Sequence, residues 1–158
     1  MDTSPKKQHI GKLFEFKLDS CSVFALCVCH EKKFGYLLKW FPKGTLLVSL
    51  DPISASPFCY KFVPLDQAMR HGAANVVEKI PNFESYRPLM RAGGGVKPDG
   101  SGTLPWYIDD GQNLERVDPD DDRLPYLSDV GLAGLGFMDD LYRNDQTPER
   151  QFRRLSAT

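Results

Sequence analysis

Residues 22–29, Ser-Val-Phe-Ala-Leu-Cys-Val-Cys, form a nearly continuous apolar run that limits what the chain can fold into. A buried helix is the alternative, but the run is short and enriched in Val and Phe. Both properties favour a strand covered on both faces. Before it, Leu13-Phe14-Glu15-Phe16-Lys17-Leu18 alternates, setting Phe14, Phe16 and Leu18 on one face and Glu15 and Lys17 on the other. Asp19-Ser20 marks the turn between the two strands. After the run, His30-Glu31-Lys32-Lys33 makes a polar turn into Phe34–Phe41, which Pro42-Lys43-Gly44 closes. Thr45–Leu50 reads as a fourth strand ended by Asp51-Pro52, and Phe58–Val63 as a fifth. Connections this short require antiparallel pairing, because a parallel crossover needs a dozen or more residues. The expectation is a meander that curls into a barrel.

The remainder is mixed. Pro64–Gly72 reads as a short helix with a glycine stop, placing Leu65, Ala68 and Met69 over one end of the sheet. Asn75–Ile80 and Arg87–Arg91 read as strands. Residues 92–102, with Gly93, Gly94, Gly95, Gly100 and Gly102, form the most flexible loop. Thr103–Ile108 reads as a late strand, set at a sheet edge by Pro105, and Asp109-Asp110-Gly111-Gln112 turns it back toward Leu114 and Val117. Leu132, Leu135, Met138, Leu141 and Tyr142 follow a helical spacing. The expected class is α+β: a mainly antiparallel, strongly curved sheet or small barrel with a short mid-chain helix and a C-terminal helix. Residues 1–158 are expected to form one domain, with 1–9 and 145–158 as flexible ends. The expected core is Phe14, Phe16, Val23, Leu26, Val28, Leu37, Trp40, Leu47, Phe62 and Val77.

Composition supports a packed core, since 41% of residues are hydrophobic and 11% aromatic. The opening MDTSPKKQHIGK lacks an apolar stretch, and no run approaches the ~18 apolar residues of a membrane span. A cytoplasmic protein with reduced thiols is therefore expected. The net charge of -1 conceals an uneven distribution. Residues 1–97 carry 14 Lys and Arg against 8 Asp and Glu, whereas residues 98–148 carry 3 against 12. The acidic segment also holds Trp106, Tyr107 and Tyr126.

Several motifs invite a chemical reading. Cys27-x-Cys29-His30, with Cys21 and Cys59, has the donors of a zinc site. Zinc knuckles favour cysteines two to four residues apart on a turn, whereas residues 27 and 29 would share one face of a strand. Core thiols are the expected role. Asp118-x-Asp120-x-Asp122 with Asp129 superficially matches a calcium loop, but Arg123 stands where that loop requires Gly and Pro125 stands two positions on. Ala92–Gly95 with Lys97 has the glycines of a phosphate cradle but runs into Pro98-Asp99-Gly100 rather than a helix N-terminus. His9, His30 and His71 stand in polar contexts and are expected to be solvated rather than part of a triad. No catalytic residue, metal or cofactor is expected.

Ile10-Gly11-Lys12-Leu13-Phe14-Glu15-Phe16, followed by Phe34-Gly35-Tyr36, resembles the opening of the Immunity protein 26 family. Pro105-Trp106-Tyr107-Ile108-Asp109-Asp110-Gly111 is similar to a late strand and acidic turn in such proteins. The resemblance implies a small β-rich bacterial protein that neutralises a toxin by direct binding, and it implies no catalytic residues. A non-enzymatic binding protein is accordingly expected, with Trp106, Tyr107, Asp109, Asp110, Asp118, Asp120, Asp121 and Asp122 as the protein-binding residues. Its expected partner is a basic toxin domain. The plainer alternative for these residues is a solvated loop above a core tryptophan. A nucleic-acid-binding small barrel, using Lys32, Lys33, Lys39, Lys43 and Lys61 around Phe34, Tyr36 and Trp40, is the alternative function. An enzyme with a spatially assembled site is another.

Overall fold

The computed structural model describes residues 8–156. In chain order the elements are β1 (Lys12–Lys17), β2 (Ser22–Glu31), β3 (Gly35–Trp40), β4 (Cys59–Val63), α1 (Leu65–Arg70), β5 (Ala74–Lys79), β6 (Met90–Gly93), β7 (Trp106–Asp109), β8 (Leu114–Val117), α2 (Leu135–Arg143) and α3 (Pro148–Ser156). Short 3₁₀ turns lie at Leu47–Ser49 and Leu124–Tyr126. The class is α+β. A five-stranded sheet has the order β4-β3-β2-β1-β5, a three-stranded sheet the order β6-β7-β8, and all neighbouring strands are antiparallel. The chain divides into two compact units. One extends to Tyr86 and takes in Gly131–Asp145, and the other holds Arg87–Val130 and the chain from Gln146 onward.

In the first unit the apolar run becomes the central strand, and Val23, Ala25, Leu26, Cys27, Val28 and Cys29 are all buried. One face of the sheet carries Phe14, Phe16, Ala25, Cys27, Leu38, Trp40 and Val63 into a single cluster. Leu65 and Ala68 of α1 and Met138, Leu141 and Tyr142 of α2 belong to the same cluster. The Phe16 and Trp40 rings lie 4.5 Å apart, and Tyr142 stacks on Phe58 at 4.4 Å while its hydroxyl donates to the Phe41 carbonyl at 2.7 Å. Asp139 ties α2 to the β1–β2 turn, with Oδ1 accepting from the Ser20 amide at 2.8 Å and the Ser20 hydroxyl at 2.6 Å. Those bonds, together with Arg143, hold its carboxyl below the usual carboxylate range.

The opposite face is also buried, at Leu13, Leu26, Val28, Leu37 and Phe62. The segment before Tyr86 runs beside it: the Tyr86 amide and the Ser85 hydroxyl both donate to the Val28 carbonyl, at 3.1 Å each. Gly11 adopts φ +86, and a Cβ there would sit 2.8 Å from the Phe83 Cβ, so this close approach requires glycine.

The sheet is open and does not close into a barrel. At one edge, Leu132 forms a parallel bridge with Phe62 of β4, and the Ala133 amide donates to the Phe62 carbonyl at 2.8 Å. The anticipated strand at 45–50 does not form. β3 already has β2 on one side and β4 on the other, so the β-prone Thr45–Leu50 cannot pair with the strand that precedes it. It makes the 3₁₀ turn instead, and Leu47 is 41% exposed rather than in the core. Val77 is likewise displaced from the expected core. β5 is an edge strand whose register with β1 jumps from Leu13↔Glu78 to Phe14↔Val76, leaving Val77 as the extra, exposed residue.

A second bulge corrects the cysteine geometry. Cys27 pairs with Leu38 but Cys29 with Leu37, so Cys27 and Cys29 fall on opposite faces. His9 is buried rather than solvated. Its Nε2 is hydrogen-bonded to Asp66 Oδ1 at 3.0 Å, and its ring packs 5.1 Å from Tyr36. The anticipated flexible end at 145–158 is largely the helix α3, which buries Phe152. Residues 1–7 and 157–158 lie outside the described residues.

Phe16→Ala is expected to lower the unfolding free energy by about 3–5 kcal/mol in urea titration, whereas Leu47→Ala should stay within about 0.5 kcal/mol of the parent.

Candidate protein-binding surface

The second unit is small and organised around one buried cation. Its apolar cluster consists of Trp106, Ile108, Leu124 and Phe152, with Val117 and Leu127 against it. Arg91 of β6 is fully buried beside this cluster, where its guanidinium lies 5.3 Å from the centre of the Phe152 ring. Its Nε and Nη2 donate to Asp129 Oδ1 and Oδ2 at 2.7 and 3.2 Å, and Nη1 donates to the Leu124 carbonyl at 3.0 Å. The backbone repeats the link. The Arg91 amide donates to Ser128 and the Arg91 carbonyl accepts from Val130, both at 2.9 Å. A buried guanidinium requires this degree of satisfaction, and a planar fork meeting a carboxylate in two places supplies it. The chain from Leu124 to Val130 is thereby fixed to β6.

That clamp forms one end of the acidic loop. Asp129, twelfth residue from Asp118, is bound to arginine, so it is not a free ligand for the calcium-like pattern. The other end is set by β8 and Arg123. The Arg123 guanidinium donates to Asp121 Oδ2 at 2.9 Å and reaches Glu115 Oε1 on β8 at 3.4 Å. These bonds and the Arg123 amide hold the Asp121 carboxyl below its ordinary range.

The eight residues expected to bind a partner are spread along one hairpin and the loop after it. β7 is the middle strand of its sheet, not an edge, because Pro105 stops short of the strand and β8 pairs on the far side. Trp106 is accordingly buried, 5.1 Å from the Phe152 ring, and Tyr107 is half-buried. Gly94 at φ +74 lets the glycine-rich loop cross this ring, since any Cβ at that position would overlap the Trp106 indole. Asp109 and Asp110 lie at the closed end of the β7–β8 hairpin, where Asp109 pairs with Leu114. Asp118 follows Val117, which pairs with Trp106 at the open end, three residue steps or roughly 10 Å away.

The two ends of the hairpin also differ in chemistry. Asp109 is ion-paired with Arg87 at 3.4 Å and accepts from the Gly111 amide at 2.7 Å. Asp110 caps the turn, accepting from the Gln112 and Asn113 amides at 2.8 and 2.7 Å, and these bonds hold its carboxyl down. Asp118, Asp120 and Asp122 are exposed and make no ion pair among the described residues. Four residues beyond Asp122 is Tyr126, 72% exposed, and Leu114 beside Glu115 is 60% exposed. The candidate surface is therefore Asp118, Asp120 and Asp122 with Tyr126.

Elsewhere, the thiols of Cys27 and Cys59 are pushed up by burial, Cys59 to about 12, which keeps both protonated at neutral pH. Among the described residues no three His, Cys, Asp or Glu are grouped to hold a metal ion. No described helix is long and apolar enough to cross a membrane. No protein-family model, curated protein or solved structure matches the chain.

Arg91→Met removes the guanidinium that holds the Asp129 carboxylate in the clamp. It should destabilise by about 2–4 kcal/mol, below the fully buried limit because Asp129 keeps contact with water. Amide hydrogen exchange should accelerate first across residues 124–130.

Proposed function

We propose that this chain is a non-enzymatic binding protein, an immunity protein that neutralises a cognate bacterial toxin in the cytoplasm by direct contact. The acidic loop after β8 is the proposed contact surface, and a basic toxin domain is the proposed partner. One observation carries the reading. Three exposed carboxylates with no ion pair among the described residues, Asp118, Asp120 and Asp122, are crowded on a loop held at both ends by arginine. Crowding like charges costs self-repulsion, which a cationic partner relieves. Fixing the loop in advance reduces the ordering that binding would otherwise require.

The division of labour follows from the chemistry. Exposed charges act mainly on encounter, raising the association rate and orienting the partner, and their effect falls with salt. Affinity needs an apolar contact that loses its water, and the exposed Tyr126 ring offers one beside the charges. Trp106 contributes from beneath, as the core on which the hairpin rests. The resemblance of residues 10–16, 34–36 and 105–111 to the Immunity protein 26 family supports the choice of a toxin over other basic partners.

The test uses the protein encoded by the reading frame directly upstream as partner. Changing Asp118, Asp120 and Asp122 together to Asn should slow association by roughly tenfold at low salt and flatten its salt dependence. Tyr126→Ala should instead speed dissociation. An unchanged association rate and salt slope in the triple variant would assign the loop to solvent alone.

A further inference from the structure

The connection from β3 to β4 exposes four large aliphatic side chains within eight residues: Leu46 at 66%, Leu47 at 41%, Val48 at 94% and Ile53 at 63%. This is not a slack loop. The buried Lys39 ammonium donates to the Pro52 and Ile53 carbonyls at 3.1 Å each, and it lies over the Phe41 ring. Asp51 Oδ1 accepts from the Ile53 amide at 3.1 Å, and the Asp51 carbonyl accepts from the Ala55 amide at 2.9 Å. At the other end the Thr45 hydroxyl donates to the Pro42 carbonyl at 2.6 Å. Burying an ammonium is costly unless its donors are satisfied. Here its donors are used to fix the segment that carries Ile53 outward. Beside the leucines lies a groove of about 340 Å³ whose walls include Phe41, Pro42, Leu46 and Leu50.

We infer that this loop is a self-association surface, occupied by the same loop of a second copy of the chain. A two-fold contact brings identical patches together, so the patch must complement itself. An aliphatic cluster does so, and its two flanking charges do as well. Lys43 precedes the cluster, Asp51 stands within it, and both are exposed, so each can meet its opposite on the other copy. A membrane surface fits less well, because interfacial segments carry an excess of cations and this one carries a single lysine balanced by a carboxylate. The groove offers the Val48 side chain of the other copy a place to enter.

The size of the patch sets the strength. Four side chains at these exposures present on the order of a few hundred Å² of apolar surface, enough to mark an interface. That is less than the roughly 800 Å² per partner of a standard stable complex, so the dimer is weak and concentration-dependent. It belongs to the first unit and does not involve the acidic loop.

Sedimentation equilibrium of the full chain, from micromolar to millimolar concentration, tests this inference. The average mass should rise from 17.8 kDa toward twice that value. Val48→Asp, at a position so exposed that the fold is unaffected by far-ultraviolet circular dichroism, should remain monomeric throughout. A parent protein that stays at 17.8 kDa across the range overturns the inference. So does a dimer indifferent to Val48→Asp, or a monomer that co-floats with phosphatidylserine vesicles and loses this property in Val48→Asp.

Discussion

A strand that is apolar on both faces must be covered twice, and this requirement on β2 organises the larger sheet. Its neighbours β1 and β3 supply the edge hydrogen bonds, but neither can shield the faces. One face is closed by α1 and α2, which approach from positions far apart in sequence. Beside the other runs the segment ending at Tyr86, bonded to the Val28 carbonyl. Lys39 also stands on that face, opposite Leu26, and burial lowers its affinity for a proton. Its two carbonyl partners take two of the three ammonium donors.

The smaller unit meets a different constraint. Four-residue strands and a cluster of four buried side chains give little hydrophobic stabilisation. A buried guanidinium instead links β6, the 3₁₀ turn at Leu124–Tyr126 and the Phe152 ring of α3. The acids of this unit differ accordingly. Asp121 and Asp129 shape the loop, whereas Asp118, Asp120 and Asp122 are exposed and make no ion pair among the described residues.

Local pattern was enough to read the strands of the meander, because alternation in 13–18 and the apolar run in 22–29 each have one satisfactory arrangement. It was not enough for Thr45–Leu50, whose β propensity is real but whose would-be neighbour already has two partners. The bulges at Val28 and Val77 were also invisible, since an inserted residue leaves no trace in composition while it exchanges the faces of all that follow. At the candidate surface, the density of aspartates was plain from the sequence. Which of them are neutralised depends on Arg87, Arg91 and Arg123, and Arg91 and Asp129 lie 38 residues apart. The helix α3 leaves little apolar pattern in the sequence, because among its described residues this arginine-rich segment buries Phe152 alone.

The proposed contact of the acidic loop with a protein partner is tested most directly by amide chemical-shift mapping on the unaltered protein. Titration with the upstream-encoded protein should move resonances across residues 118–126, Tyr126 foremost, while β2 and the loop at 44–53 stay in place. Perturbations that leave 118–126 untouched and gather elsewhere would contradict the assignment.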